Sequence, residues 1–205
     1  MILEDRKIDD LVALGAVFYI SHSGGKDSQA MYALLRDRIP DRQISVVHAD
    51  LGEIEWDGVQ DHIRATISHP LNVVRASKTF FEMVRHRAET RPDVPSWPSS
   101  ATRQCTSDLK RNPIHKFIRA DMKRRGATLA LNCICLRADE SPSRATKDPL
   151  QLNATLSTAG RTVYEYLPIH SLSTEAVFEI IASAGQEPFH AYKRNKRLSC
   201  VFCIM

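Results

Sequence analysis

Six consecutive residues, Ser23-Gly24-Gly25-Lys26-Asp27-Ser28, have the types needed to hold a phosphate group. Paired glycines let backbone N–H groups approach an anion with no Cβ in the way. Ser23 and Ser28 add hydroxyl donors, and Lys26 adds a positive charge. The spacing is not the Gly-x-x-x-x-Gly-Lys-Ser/Thr of P-loop NTPases, so the loop is not assigned there. Five cysteines form the second candidate set: Cys105, Cys133, Cys135, Cys200 and Cys203. An odd number in a cytosolic chain argues against a disulfide framework. Cys200-x-x-Cys203 alone suits zinc, an iron–sulfur cluster or thiol exchange. Cys133 and Cys135 fall on one face of a predicted strand and are expected in the core, where cysteine behaves as a small apolar residue.

A phosphate loop needs a strand to deliver it and a helix to receive it. Ala16 to Ile20 is a continuous β-prone apolar run, as in strands buried on both faces. Ser28 to Arg38 then has helical spacing, stopped by Pro40. Such a helix aims its free N-terminal amides and positive dipole end at the anion. A helix over Ile8 to Leu14 precedes this unit. The strand–helix alternation continues with strands at 44–49, 71–75 and 128–135. Helices are predicted at Trp56 to Ser68, Thr79 to Thr90 and Asn112 to Arg125, the last capped by Gly126. Arg91 to Ala101, with three prolines, is expected to be a loop. Beyond residue 136, Ser141 to Gly160 is polar and irregular. A short strand follows at Val163 to Leu167. A helix is expected over Thr174 to Ala184, with Ser173 as its N-cap and Gly185 at its end. The alternation predicts an α/β fold with a parallel, doubly wound sheet and a small irregular C-terminal extension. Residues 1–135 form the nucleotide-binding core, and 136–205 form the C-terminal part of the same domain. Ligands of such sheets bind at the carboxyl ends of strands, near the topological switch point.

The net charge of +4 is compatible with a nucleic-acid partner without requiring one. Basic residues gather between Lys110 and Arg125 and between Lys193 and Arg197. These are either solvated helix faces or surfaces that meet phosphates. No apolar run approaches the roughly 20 residues that span a bilayer. The N-terminus lacks a signal-peptide pattern, so a cytosolic protein with no membrane partner is expected.

Taken together, the motifs resemble a known family. Ser-Gly-Gly-Lys-Asp-Ser after a first strand is similar to the PP-loop of the adenine-nucleotide alpha hydrolases. Arg103-Gln104-Cys105-Thr106-Ser107-Asp108-Leu109-Lys110 looks like the Arg/Cys/Lys segment of its phosphoadenosine-phosphosulfate (PAPS) reductase-like branch. Arg137-Ala138-Asp139-Glu140-Ser141-Pro142-Ser143-Arg144 resembles its Arg-x-x-Glu-Ser-x-x-Arg stretch. Leu167-Pro168-Ile169, Pro188 to Tyr192 and Arg197 to Cys203 follow its C-terminal order.

The resemblance implies that Ser21, Ser23, Gly24, Gly25, Lys26, Asp27 and Ser28 bind nucleotide phosphates, with Lys26 and Asp27 as the catalytic candidates. His48 and Asp50 stand where the family places adenosine contacts. Lys110, Arg137 and Arg144 are candidates for anionic groups. Cys105 becomes a third ligand beside Cys200 and Cys203, enough for a 4Fe–4S cluster with one open iron, although Thr106 replaces one cysteine of the family's pair. Zinc and packed reduced thiols stay open. PAPS and APS reductases carry a nucleophilic cysteine beyond the Cys-x-x-Cys, and this sequence has none there. The implied activity is cleavage of ATP to AMP and pyrophosphate with magnesium. That activates an acceptor, such as a nucleic acid, for sulfur transfer from a sulfur-donor protein. A thioredoxin-dependent PAPS/APS reductase and a non-catalytic nucleotide- or nucleic-acid-binding module are the alternatives.

Overall fold

The first predicted strand becomes an interior strand of a six-stranded sheet. A computed structural model describes residues 2–99 and 102–203. Ser100 and Ala101, which end the predicted loop, and Ile204 and Met205, at the end of the chain, lie outside the described residues. Helix α1 is Ile2–Ala13, β1 is Val17–Ser21, α2 is Lys26–Arg36 and β2 is Ile44–Asp50. They are followed by α3 (Val59–Thr66), β3 (Leu71–Arg75) and α4 (Phe80–Thr90). A π-helical segment, Thr106–Arg111, runs directly into α5, Asn112–Arg125. The rest is β4 (Leu129–Cys133), α6 (Pro142–Ala145), β5 (Leu150–Leu152), β6 (Thr162–Tyr166) and α7 (Thr174–Ser183).

The strand order is β3-β2-β1-β4-β6-β5, with every neighbouring pair parallel except β5 and β6. The chain first winds outward from β1 through β2 to β3, then crosses to β4 on the other side of β1. The switch point therefore lies between β1 and β4, where a doubly wound sheet leaves a crevice for a ligand.

Both faces of the sheet are covered. Phe18 and Ile20 pack with Ile8, Met31, Tyr32 and Leu35 on one face. Val17 and Tyr19 pack with Ile118, Met122 and Val163 on the other. This two-sided burial is why β1 carries no polar alternation. Helix α7 lies against α2 through Val177, Ile181 and Ala30. Among the described residues no helix is long and apolar enough to cross a membrane.

The structure differs from the sequence-based expectation in three places. Gly58, with φ of +80°, forms a turn before α3, so the helix starts at Val59 rather than Trp56. The polar stretch 141–160 contains α6 and the short edge strand β5, paired antiparallel to β6. Strand β4 ends at Cys133, and Cys135 lies past it, partly exposed as a residue. The predicted caps hold: Ser173 accepts from the Ala176 N–H, and Gly126 ends α5 with φ of +66°.

One buried polar group ties α5 to the sheet. Asp121 accepts from the Tyr19 hydroxyl at 3.0 Å and from Arg125 at 2.7 Å, with Arg124 as a third partner. Burial pushes the Asp121 carboxyl up, but its hydrogen bonds from Arg124, Arg125 and Tyr19 outweigh that and hold it below the usual carboxylate value. A depressed folded-state pKa adds stability that is present above the unfolded value and is lost as pH falls through the folded one. Asp121→Ala should cost about 2 kcal/mol, because it strands the Tyr19 hydroxyl away from water. Urea melts against pH test this. Stability of the wild type should fall more steeply than that of Asp121→Asn below about pH 4. Parallel curves would contradict the assignment.

Candidate nucleotide site

The phosphate loop leaves β1 through His22 and turns at Gly24, where φ is +75°. A Cβ there would stand 2.7 Å from the Val59 side chain, so backbone conformation and space both require glycine. Gly25 is the N-cap of α2 in an extended conformation, and no side chain caps it. Preference for a side-chain cap is strong at this position, so an uncapped glycine leaves the helix amides open to other partners. Ser28 Oγ donates to the Gly25 carbonyl at 2.8 Å and accepts from the Ser23 N–H at 3.2 Å. The loop is thus preformed from within.

Its charges are paired in a chain. Lys26 Nζ lies 2.8 Å from Asp27 Oδ2, and Arg137 Nε lies 2.7 Å from Asp27 Oδ1. Arg137 also donates to Asp139, the Leu172 carbonyl and Thr174 Oγ1. Lys26 and Arg137 are both buried. Sequence reasoning placed Arg137 on a ligand; the fold places it first on Asp27, across 110 positions.

The C-terminal segment lies over this loop. Trp56 Nε1 donates to the Ser199 carbonyl, and the Val201 N–H donates to the Ile54 carbonyl. Gln29 holds Gln186 at 2.9 Å. Tyr192 sits at the centre: its hydroxyl accepts from the Lys26 N–H at 3.0 Å, and Lys26 Nζ lies 5.8 Å from its ring centroid. Burial pushes the Tyr192 hydroxyl up to about 12, so it keeps its proton at neutral pH. Tyr192 closes the Pro188 to Tyr192 motif, but nothing local gave it a role at the site, because its partner is 166 residues away.

Two hollows flank the loop. A cleft of about 320 Å³ opens at the carboxyl ends of β1, β2 and β4, with Ser21, Ser23, His48, Lys110, Ile134 and Asn132 among its walls. A second, of about 650 Å³, is lined by Lys26, Asp27, Arg137 and the Lys193–Leu198 segment. Leu198 borders both. Asn132 is 2% exposed, and its Oδ1 has no hydrogen-bond partner among the described residues. His22 accepts from the Gly24 N–H through Nδ1, which leaves the proton on Nε2. That Nε2 also lacks a partner, and burial, aided by His48 and His62, pushes His22 down to about 3.

Several candidates are engaged by the protein's own groups. His48 is buried between the His22 carbonyl and Glu55. Asp50 accepts from the Gly52 N–H and pairs with Arg75, outside the walls of either hollow. Arg144 pairs with Glu140.

The cysteines fall into two sets. Cys133 is buried in the core, and Cys135 packs beside it. Cys105 and Cys200 pack together against Ile54, Phe80, Met83 and Leu109. Burial raises the Cys200 thiol, neighbouring Cys203 and Cys105 raise it further, and Lys110 opposes them. The three thiols thus share one region. Even so, no group of three or more His, Cys, Asp or Glu among the described residues is arranged to hold a metal ion.

The family model for the phosphoadenosine phosphosulfate reductase domain matches residues 18–203. No curated protein matches the sequence at a significant level. Among solved structures, the PAPS reductase of Candida auris, in complex with phosphate, superposes with a TM-score of 0.53 at 11% identity. That match covers 86% of this chain and 76% of the other. Candida glabrata FMN adenylyltransferase with FMN and an ATP analogue gives 0.46 at 15% identity, over 81% of this chain and 47% of the other. A 4-thiouridine synthetase–RNA complex with bound ATP gives 0.44 at 16%, over 92% and 45%. At 11% identity the likeness to the Candida auris reductase is one of fold. The chain belongs to the phosphoadenosine phosphosulfate reductase domain family.

Proposed function

We propose that the protein binds ATP across the β1–β4 switch point and cleaves it to AMP and pyrophosphate, activating an acceptor for sulfur transfer. The observation that carries this reading is the uncapped Gly25 end of α2, with Lys26 and Arg137 both gathered on Asp27. Two cations and a set of helix amides at one point suit a leaving group of high negative charge. The apolar cleft beside the loop suits the nucleoside, and the unpartnered Asn132 Oδ1 can accept from the adenine amino group. The acceptor attacks the α phosphorus, the bond to the α–β bridging oxygen breaks, pyrophosphate leaves into the cationic hollow, and AMP stays on the acceptor until the incoming sulfur displaces it. Magnesium usually keeps phosphate oxygens and waters among its ligands, so it would arrive with the triphosphate, with the Asp27 and Asp139 carboxylates nearby.

A sulfonucleotide reductase is the second reading, favoured by the family match itself. It requires sulfite release from PAPS or APS with thioredoxin present.

Pyrophosphate release from ATP and magnesium, with and without nucleic-acid acceptors, tests the first reading. Lys26→Ala should raise the ATP dissociation constant at least about tenfold, the loss of one charged contact. Its urea melt controls for folding. Unchanged ATP affinity in a folded variant would contradict the role of Lys26.

Tyr192 gives a sharper test. Its hydroxyl holds the Lys26 N–H that a pyrophosphate oxygen would use. Tyr192→Phe should therefore tighten pyrophosphate binding by roughly fivefold, the equivalent of about 1 kcal/mol of released competition. Titration calorimetry reads this directly. Weaker binding in the variant would mean that the hydroxyl contacts the ligand.

A further inference from the structure

A third hollow, of about 470 Å³, lies on the far side of the π-helical segment from the nucleotide cleft. Its rim carries Arg75, Lys78, Lys116 and Arg119, and its floor is Met83, Leu109 and Ala76. Lys116 and Arg119 are one turn apart on α5 and therefore point the same way. Lys78 comes from the β3–α4 connection, so the cations converge from two separate parts of the chain.

The positive charge here is not balanced. Arg75 pairs with Asp50. Among the described residues, Lys78, Lys116 and Arg119 have no ion-pair or hydrogen-bond partner, and all three are exposed. Asp108 is the one carboxylate among the walls. The field reaches inward as well: His115 is pushed down to about 4 by burial, with Arg111 and Arg119 adding to it. Unpaired cations converging on one groove from separate parts of the chain suit a ligand that carries several phosphates in a row. A single small anion could engage only one or two of these cations, whereas the evenly spaced phosphates of one strand can meet Lys78, Lys116 and Arg119 together.

The two hollows share one wall. Thr106, Lys110 and Arg111 line the nucleotide cleft, while Asp108 and Leu109 of the same segment line the basic groove. π-Helical turns within helices recur at functional sites, where they re-aim side chains. A strand lying in the groove would thus have its next nucleotides at the mouth of the cleft.

We propose that this groove binds the sugar–phosphate backbone of a single-stranded nucleic-acid segment, the acceptor that the nucleotide site acts on. The proposal rests on the ATP-cleaving reading for the word acceptor, and on the groove alone for the binding.

Fluorescence anisotropy of labelled single-stranded RNA, and of DNA of the same sequence, tests it on the full chain across a salt series. Lys116→Glu/Arg119→Glu should weaken binding by at least about tenfold at low salt and flatten the log–log salt slope by about 1.4, two contacts at roughly 0.7 each. ATP affinity of the same variant should stay at the wild-type value. Lys78→Glu, on a separate element, should weaken nucleic-acid binding in the same direction and serves if the double variant fails to fold. RNA affinity and slope unchanged in folded variants would overturn the proposal. So would binding of polyglutamate or phosphatidylserine vesicles, but not of RNA or DNA, by the wild type. If nucleic acid binds through the groove while ATP is neither bound nor cleaved, the groove stands and the ATP reading falls. If ATP is cleaved and the groove charges have no effect on nucleic-acid binding, the reverse holds.

Discussion

Asp27 holds two buried cations, and the rest of the site is built around that contact. Without it, Lys26 would lose its one ion-pair partner among the described residues, and Arg137 would keep only Asp139, with both cations in a poorly hydrated place. A buried charge stripped of its partner costs several kcal/mol, so the carboxylate is what lets both cations be stored beside the loop. The contact also joins distant parts of the chain. Arg137 follows β4, and its other hydrogen bonds reach Leu172 and Thr174, at the start of α7. One guanidinium therefore fixes the loop, the end of β4 and α7 relative to one another, across the switch point of the sheet.

The same economy governs the backbone. Gly25 leaves the N-terminus of α2 without a side-chain cap, and the Tyr192 hydroxyl from the C-terminal segment fills that role. An amide capped by a distant residue can be uncapped by a ligand that offers more charge. A serine or aspartate at the N-cap would have satisfied the helix locally and closed it to anions. Trp56, Ile54 and Gln29 hold the flanks of this segment, so its position depends on several weak contacts and not on Tyr192 alone.

Much of this was visible in the sequence, because it is written in local patterns. The two-sided apolar run of β1, the glycines that follow it and the Gly126 and Ser173 caps each act within a few residues of themselves. Strand β5 escaped notice because three residues in a polar stretch carry too little alternation to stand out. Its pairing comes from β6. Tyr192 and Asn132 escaped for a different reason. Their importance lies in a partner far along the chain, or in the lack of one, and neither leaves a periodic signal. The cysteines show the limit from the other side. Their order suggested a ligand set, and the fold packs Cys105 and Cys200 together with Ile54, Phe80 and Leu109, with Cys203 close enough to raise the Cys200 thiol, a proximity that sequence order alone does not give.

The central claim is that the loop amides at the start of α2 take the phosphates while the β1–β4 cleft takes the nucleoside. Amide-resolved NMR titration of the isotope-labelled protein reads both at once. Pyrophosphate should move the Gly24, Gly25 and Lys26 amide signals before any others, and ATP should add a shift of the Asn132 side-chain amide that pyrophosphate does not produce. Shifts confined to the Lys193–Arg197 segment, with the three loop amides unmoved by either ligand, would contradict the account.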